Sequence, residues 1–267
     1  ETMYKNFFVS LLFVNVFSAH LGAKEDSALL SLCAEGRVEK LHAADVIELE
    51  NGVMIRLMMV QVPHIPSGSE TVRPWPMSEA IFTAMANEIT GKNLSFHCLK
   101  KAHNRHGELV AMVKMPDGTW LQSLMITRGW ARVYSTSDYA YAVDDLYTLE
   151  DKTRDIKSGL WSYDSYAVRE ISEIDDRIGR FEIVEGRVFE VAETKKATYM
   201  NFGEDWRKDF TLKMDWRARR LFKKLGIDPS IYEGKNIQVR GWVSWNGGPM
   251  MDLTHPEQIR LLDDGGE

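Results

Sequence analysis

Polar and apolar residues alternate through Arg37-Val38-Glu39-Lys40-Leu41 and Asp45-Val46-Ile47-Glu48-Leu49, and again through Val53-Met54-Ile55-Arg56-Leu57. A period of two marks a half-buried strand, and the Asn51-Gly52 step before the last run is a strong hairpin signal, so three strands are predicted here. The spacing becomes helical over residues 77–90 and stops at Gly91, a residue suited to the left-handed position that ends a helix. Strand pattern returns over 94–99 and 108–115, on either side of a polar loop at 100–107. After the Asp117-Gly118 turn come a short helix from 121 to about 128, a strand at 131–134, and a longer helix over 143–157 ended by Gly159.

The second half reads differently. Residues 163–178 carry two positive charges (Arg169 and Arg177), five negative ones (Asp164, Glu170, Glu173, Asp175 and Asp176) and no period, which predicts a linker. Strand-like runs follow at 181–191, 198–202, 210–214, 237–244 and 250–254, with one helix over 217–225 ended by Gly226. Five strands with a single helix before the fourth suit a small closed barrel of the oligonucleotide/oligosaccharide-binding (OB) kind. The expectation is thus a mainly β protein with helices, of the α+β class: one domain over 24–162, a second, barrel-like one over 179–260, and an acidic tail at 261–267.

The first 23 residues carry Met3, Lys5, an apolar run over 7–17 and small residues ending Leu21-Gly22-Ala23, an order that reads as an export signal. Eleven residues at 1.5 Å rise reach about 16 Å, short of the roughly 30 Å of a bilayer core, so no stable membrane span is expected. The protein is accordingly expected in the periplasm or secreted. In such a compartment Cys33 and Cys98 can bridge, and closing so long a loop stabilises by about 4 kcal/mol through chain entropy. Geometry decides between that bridge and the plainer reading, two separately buried small side chains.

A 44% hydrophobic content excludes disorder, and 33 Lys+Arg against 39 Asp+Glu, a net charge of −6, argues against charge-driven coating of nucleic acid. With these elements in order, Arg56-Leu57-Met58-Met59-Val60-Gln61-Val62-Pro63-His64, Asn104-Arg105-His106-Gly107-Glu108 and Ser158-Gly159-Leu160-Trp161-Ser162 together resemble the staphylococcal nuclease-like (thermonuclease) family over about 36–162. The second module looks like the additional barrel found on some bacterial members. The resemblance implies a calcium-dependent phosphodiesterase built on a first OB barrel, in which two aspartates hold the cation, two arginines clamp the phosphate and a glutamate activates water. Each role has a physical reason: hard cations take carboxylate oxygens, the guanidinium fork matches phosphate, and water needs a nearby base.

Placed on this sequence, the family pattern is only partly kept. Asp45 falls at one metal aspartate and Arg56 at the first phosphate arginine. Gln61 stands at the second metal aspartate, His64 at the general-base glutamate and Glu108 at the second arginine. Turning a cation into an anion about 4 Å from a phosphate changes the interaction by twice roughly 4 kcal/mol at an effective dielectric near 20. No calcium-dependent hydrolysis of the family type is therefore expected, and the family calcium site is expected to be degraded. An altered site for zinc or another transition metal, drawing on His64, Glu108, Asp45 and His106, is the alternative, since imidazole with carboxylate suits such ions. His97, His103 and His255 read as structural.

Two non-catalytic roles remain open, a binder of nucleic acid or another ligand and a scaffold for a protein partner. Charge favours the second module as the nucleic-acid surface, because Lys213, Arg217, Arg219, Arg220, Lys223 and Lys224 gather on and just before its helix. Cations near a helix C-terminus are also favoured by its dipole, which needs no ligand. Trp120, Trp130, Trp161 and Trp242 fall in apolar or strand pattern and are expected in the core. Tyr199, Trp206 and Trp245 lie beside turns, where stacking on a base is open to them.

Overall fold

The computed structural model describes residues 30–64, 75–205 and 209–262. The expected signal at 1–23, Trp206 and most of the 261–267 tail lie outside the described residues.

The first domain runs β1 (Ser31–Ala43), β2 (Val46–Leu49), β3 (Met54–Leu57), β4 (Val60–Gln61), α1 (Ser78–Ile89), β5 (Asn93–Cys98), β6 (Leu109–Lys114), α2 (Leu121–Thr127), β7 (Arg132–Val133) and α3 (Val143–Asp155). Five strands close a barrel in the order β1-β2-β3-β6-β5. Closure depends on β1, which is longer than the alternation predicted: Ser31 to Arg37 pair with β5, and from Val38 onward the strand pairs with β2. The β3–β6 pair is parallel, matching Ile55 with Leu109 and Arg56 with Val110. Ile81, Met85 and Ile89, four residues apart, turn one stripe of α1 into the barrel core. The expected strand at 131–134 is only Arg132–Val133, which pairs with β4 apart from the barrel.

The reading of the cysteines as two separately buried side chains is corrected. Ser31 lies opposite Cys98, and a register shift between Leu32 and Ala34 brings Cys33 beside it. The two sulfurs are bonded, with Cα atoms 5.7 Å apart. Cys98 is buried and Cys33 exposed, so the bridge ties the free start of β1 to the core end of β5.

The remaining elements are β8 (Arg169–Glu170), β9 (Phe181–Arg187), β10 (Glu190–Glu193), β11 (Ala197–Asn201), β12 (Thr211–Asp215), α4 (Trp216–Lys224), β13 (Asn236–Trp245), β14 (Pro249–Asp252) and β15 (Ile259–Leu261). They form one sheet in the order β10-β11-β12-β14-β13-β9-β8, with β15 on β13. With β9 and β10 read as halves of one bent strand, this is the strand order of the first barrel, including its one parallel pair, here β12 with β14. The second ladder is not closed, against expectation. At the junction Val188 N–H donates to Lys235 O while Phe189 N–H donates to Asn201 O, so the β9 half bonds toward β13 and the β10 half toward β11.

The expected linker is packed between the two halves. The Tyr166 hydroxyl donates to Pro76 O, Ile174 enters the second core, and β8 pairs parallel with β9. Arg169 is buried against Asp164 and Glu173, so the acidic run that looked like a solvated spacer neutralises a buried guanidinium.

One face of α3 holds the second sheet. Tyr147, Glu150 and Asp151, three and four residues apart, all point toward it. The Tyr147 hydroxyl donates to Glu257 O, Arg260 donates two bonds to Asp151, and Arg240 Nη1 donates to Glu150 at 2.8 Å. Glu150 and Arg240 are both fully buried, and the second Glu150 oxygen accepts Val133 N–H at 2.6 Å. Ser135 and His255 meet at the same seam, Oγ to Nε2 2.7 Å.

The tryptophans divide. Trp161 is buried, Trp120 and Trp130 are half-buried against the core, and Trp242 is 49% exposed. Trp242 pairs across the strands with Phe181, which is buried, yet its own ring stays half exposed, so its apolar neighbours in sequence do not imply burial.

Candidate functional site

The register of the first barrel gathers the family positions. Asp45 precedes β2, whose Val46 pairs with Arg56, and its carbonyl accepts Leu57 N–H at 2.9 Å. Glu108 stands two residues before Val110, the partner of Arg56 across the parallel pair, and so shares a face with it. The outcome is a closed charge cluster. Arg56 Nε and Nη2 donate to the two oxygens of Glu108 at 2.6 and 3.1 Å, and Nη1 donates to Asp45 at 2.9 Å. Asn104 fixes the arrangement: its amide nitrogen donates to Glu108 at 2.6 Å, and its oxygen accepts the backbone N–H groups of His106 and Glu108.

Electrostatics follow that geometry. Hydrogen bonds from Arg56 hold the Glu108 carboxyl below its ordinary range, and the same bonds raise the Arg56 guanidinium above its own. Burial pushes the Asp45 carboxyl up despite the attraction of Arg56. Two carboxylates thus face one guanidinium and engage three of its five N–H donors.

Gln61 takes no part in the cluster. Its oxygen accepts from Arg132 Nε at 3.0 Å and its nitrogen donates to Val62 O at 2.6 Å. Arg132 is buried between Tyr166 and Phe181, and that burial lowers its pKa to about 10. A calcium ion takes six to eight oxygens. With one Asp45 oxygen shared with a cation and the Gln61 oxygen taken by Arg132, the residues present do not fit one. For the transition-metal alternative, no group of three or more His, Cys, Asp or Glu side chains among the described residues is placed to hold a metal ion. His106 Nε2 accepts from Arg105, and His64 is exposed at the rim.

Asp45, Arg56, Gln61 and His64 line a pocket of about 460 Å³. Much of its wall is apolar, from Leu57 to Val60, and it is completed by Tyr134 and by Trp242 from β13 of the second sheet. Residues 54–163 match the family model described as Staphylococcal nuclease homologue. No curated protein matches the chain. The nuclease-like domain so defined includes Arg56, Gln61, His64 and Glu108, while Asp45 lies before the matched stretch and Trp242 beyond it.

The cationic positions of the second half lie apart from this pocket. Asp215 caps α4 by accepting Arg217 and Ala218 N–H, each at 2.9 Å. Arg219 is held by Thr194 O and Glu193, whereas Arg220, Lys223 and Lys224 are exposed and have no carboxylate partner among the described residues. Arg217 stacks on Trp216, which is itself exposed. Lys213 pairs with Tyr199 across β12 and β11, both half-buried, and Trp245 is exposed at the β13–β14 hairpin.

Sequence reasoning missed Trp242 in the pocket and the buried Ser135–His255 and Glu150–Arg240 pairs. No local signal marks them, because their partners are 90 or more residues away or on the other half of the chain. His97 and His103 have structural surroundings: His97 packs edge-on against Trp120, and the His103 carbonyl accepts the Tyr139 hydroxyl.

Proposed function

We propose that this is an exported protein whose nuclease-like domain does not hydrolyse phosphodiesters and which binds nucleic acid through the cationic face of α4. The observation that carries the first part is the engagement of Arg56 by Glu108 and Asp45 together. A clamp arginine works by offering free donors to a phosphate, and three of its donors point at carboxylates instead. Glu108 therefore acts less by repelling phosphate directly than by occupying the one arginine left.

The binding role is supported by cations without a carboxylate partner among the described residues, beside an aromatic side chain, the combination that tracks a phosphate backbone and stacks bases. Lys195 and Lys196, exposed in the β10–β11 hairpin, extend the cationic surface, since Thr194 of that hairpin is bonded to Arg219. Export is supported by the N-terminal sequence and is compatible with the Cys33–Cys98 bond.

Incubation with single- and double-stranded DNA and RNA, in calcium, magnesium, manganese or zinc, tests both parts. The expected outcome is intact nucleic acid and a salt-dependent mobility shift, with the salt slope reduced by about 2 in an Arg220→Glu/Lys223→Glu variant. Calcium-dependent cleavage that disappears in Arg56→Ala would overturn the silent-site reading. Binding unaffected by the two charge reversals would overturn the α4 assignment.

A further inference from the structure

The pocket beside Arg56 has a chemistry of its own. Its volume of about 460 Å³ suits a small molecule. Trp75, Tyr134, Tyr139 and Trp242 contribute aromatic wall, and Met58 and Val110 contribute aliphatic wall. Trp242 is half exposed although it packs edge-on against Phe181, so its ring is still available to a ligand in the pocket. The charges on one side do not cancel. Asp45 and Arg56 line the space, Glu108 binds Arg56 from behind, and the three groups sum to one negative charge. His64 is the other basic side chain among the lining residues, and it stands at the exposed rim.

We propose that this pocket is a binding site for a small organic cation, an amine carried on an aromatic or aliphatic body, with the ammonium beside Asp45 and the body against Trp242 and Tyr134. Charge complementarity selects the occupant. An ammonium meets a net negative cluster and the electron-rich faces of aromatic rings, both of which attract it. A carboxylate or phosphate of the same shape meets the same cluster with the wrong sign, because Arg56 has already been neutralised. A neutral analogue gains only the burial of its body. The site draws on both halves of the chain, since Trp242 comes from β13, and this gives the packed seam between the two sheets a ligand-dependent consequence. The inference rests on the reading of Arg56 as occupied, and it is independent of nucleic-acid binding at α4.

The test uses three matched probes, phenylbutylamine, phenylbutanol and phenylbutyrate, titrated into the full chain and followed by tryptophan fluorescence and calorimetry. Phenylbutylamine is expected to bind saturably, about tenfold more tightly than phenylbutanol, with phenylbutyrate weakest. Asp45→Asn is expected to remove the preference for the amine over the alcohol, and an unchanged circular-dichroism spectrum shows that the variant is folded. Trp242→Ala is expected to weaken both amine and alcohol. Equal binding of amine and alcohol, tightest binding of the acid, or binding of none of the three would each overturn the proposal. Failure of the silent-site reading looks different, because it appears as calcium-dependent cleavage in the nuclease assay whatever the probes do.

Discussion

Glu108 and Arg56 show how, on the proposed silent-site reading, one reversed charge alters a site through its neighbour. The reversal alone predicts a repelled phosphate, but the parallel β3–β6 register sets the two side chains on one face, and Asn104 aims the carboxylate at the guanidinium. Replacing Glu108 with Gln should therefore release Arg56 without restoring a second arginine. We expect affinity for phenyl phosphate, measured by calorimetry, to rise by about tenfold, as the cluster changes from net negative to neutral. Hydrolysis should stay absent, because Gln61 remains tied to Arg132 and His64 remains at the base position. If the affinity does not change, Arg56 is not held back by Glu108.

The α3 helix links the two halves through Tyr147, Glu150 and Asp151, and Glu150 is its most exposed point energetically although it is the most buried in space. Removing one partner of a buried ion pair leaves the other charged and unpaired, which typically costs 3–5 kcal/mol. Glu150→Ala should therefore lower stability by about 4 kcal/mol in a denaturant titration, with Arg240 and Val133 N–H losing their acceptor. Glu150→Leu combined with Arg240→Met should lose much less, since neither charge is then stranded. Equal losses in the two variants would mean that shape, not charge, holds this contact. The Cys33–Cys98 bond supports the other end of the domain, where β1 begins.

His255 makes the whole molecule sensitive to acid. It is buried at the seam between Ser135 and Thr254, and burial pushes its pKa down to about 4. An unfolded chain would take up a proton near the ordinary value of about 6.5. Between those two pH values the unfolded state binds more protons than the folded one, so stability is full above about 6.5 and falls as the pH drops toward 4. The loss attributable to His255 should reach about 3 kcal/mol. Thermal unfolding followed from neutral to acidic pH, with His255→Asn for comparison, checks this: the variant should have a flatter profile across that window. An unchanged slope in His255→Asn would assign the acid sensitivity elsewhere.

The four helices were legible to within a residue or two, because each carries a sustained apolar stripe and is stopped by a residue suited to its end, such as Gly91 after α1 and Gly226 after α4. The strands were legible wherever one face is buried, as in β2 and β3. Less legible were the first half of β1, the packing of the 163–178 stretch and the open edge of the second ladder. These depend on partners that local pattern does not name: β5 for β1, and β9 and the second core for the acidic stretch.

The sequence by itself determined most of the succession of strands and helices, since these follow from residue type and spacing, while the first barrel and the placing of Gln61, His64 and Glu108 at family positions rest on the resemblance to the nuclease-like family. The tertiary structure decided which charges meet. It gave Arg56 to Glu108 and Asp45, Gln61 to Arg132 and Glu150 to Arg240, joined Cys33 to Cys98, and brought Trp242 to the pocket from 186 residues beyond Arg56. Electrostatic and packing energies depend on distance in space, and only the folded chain sets those distances.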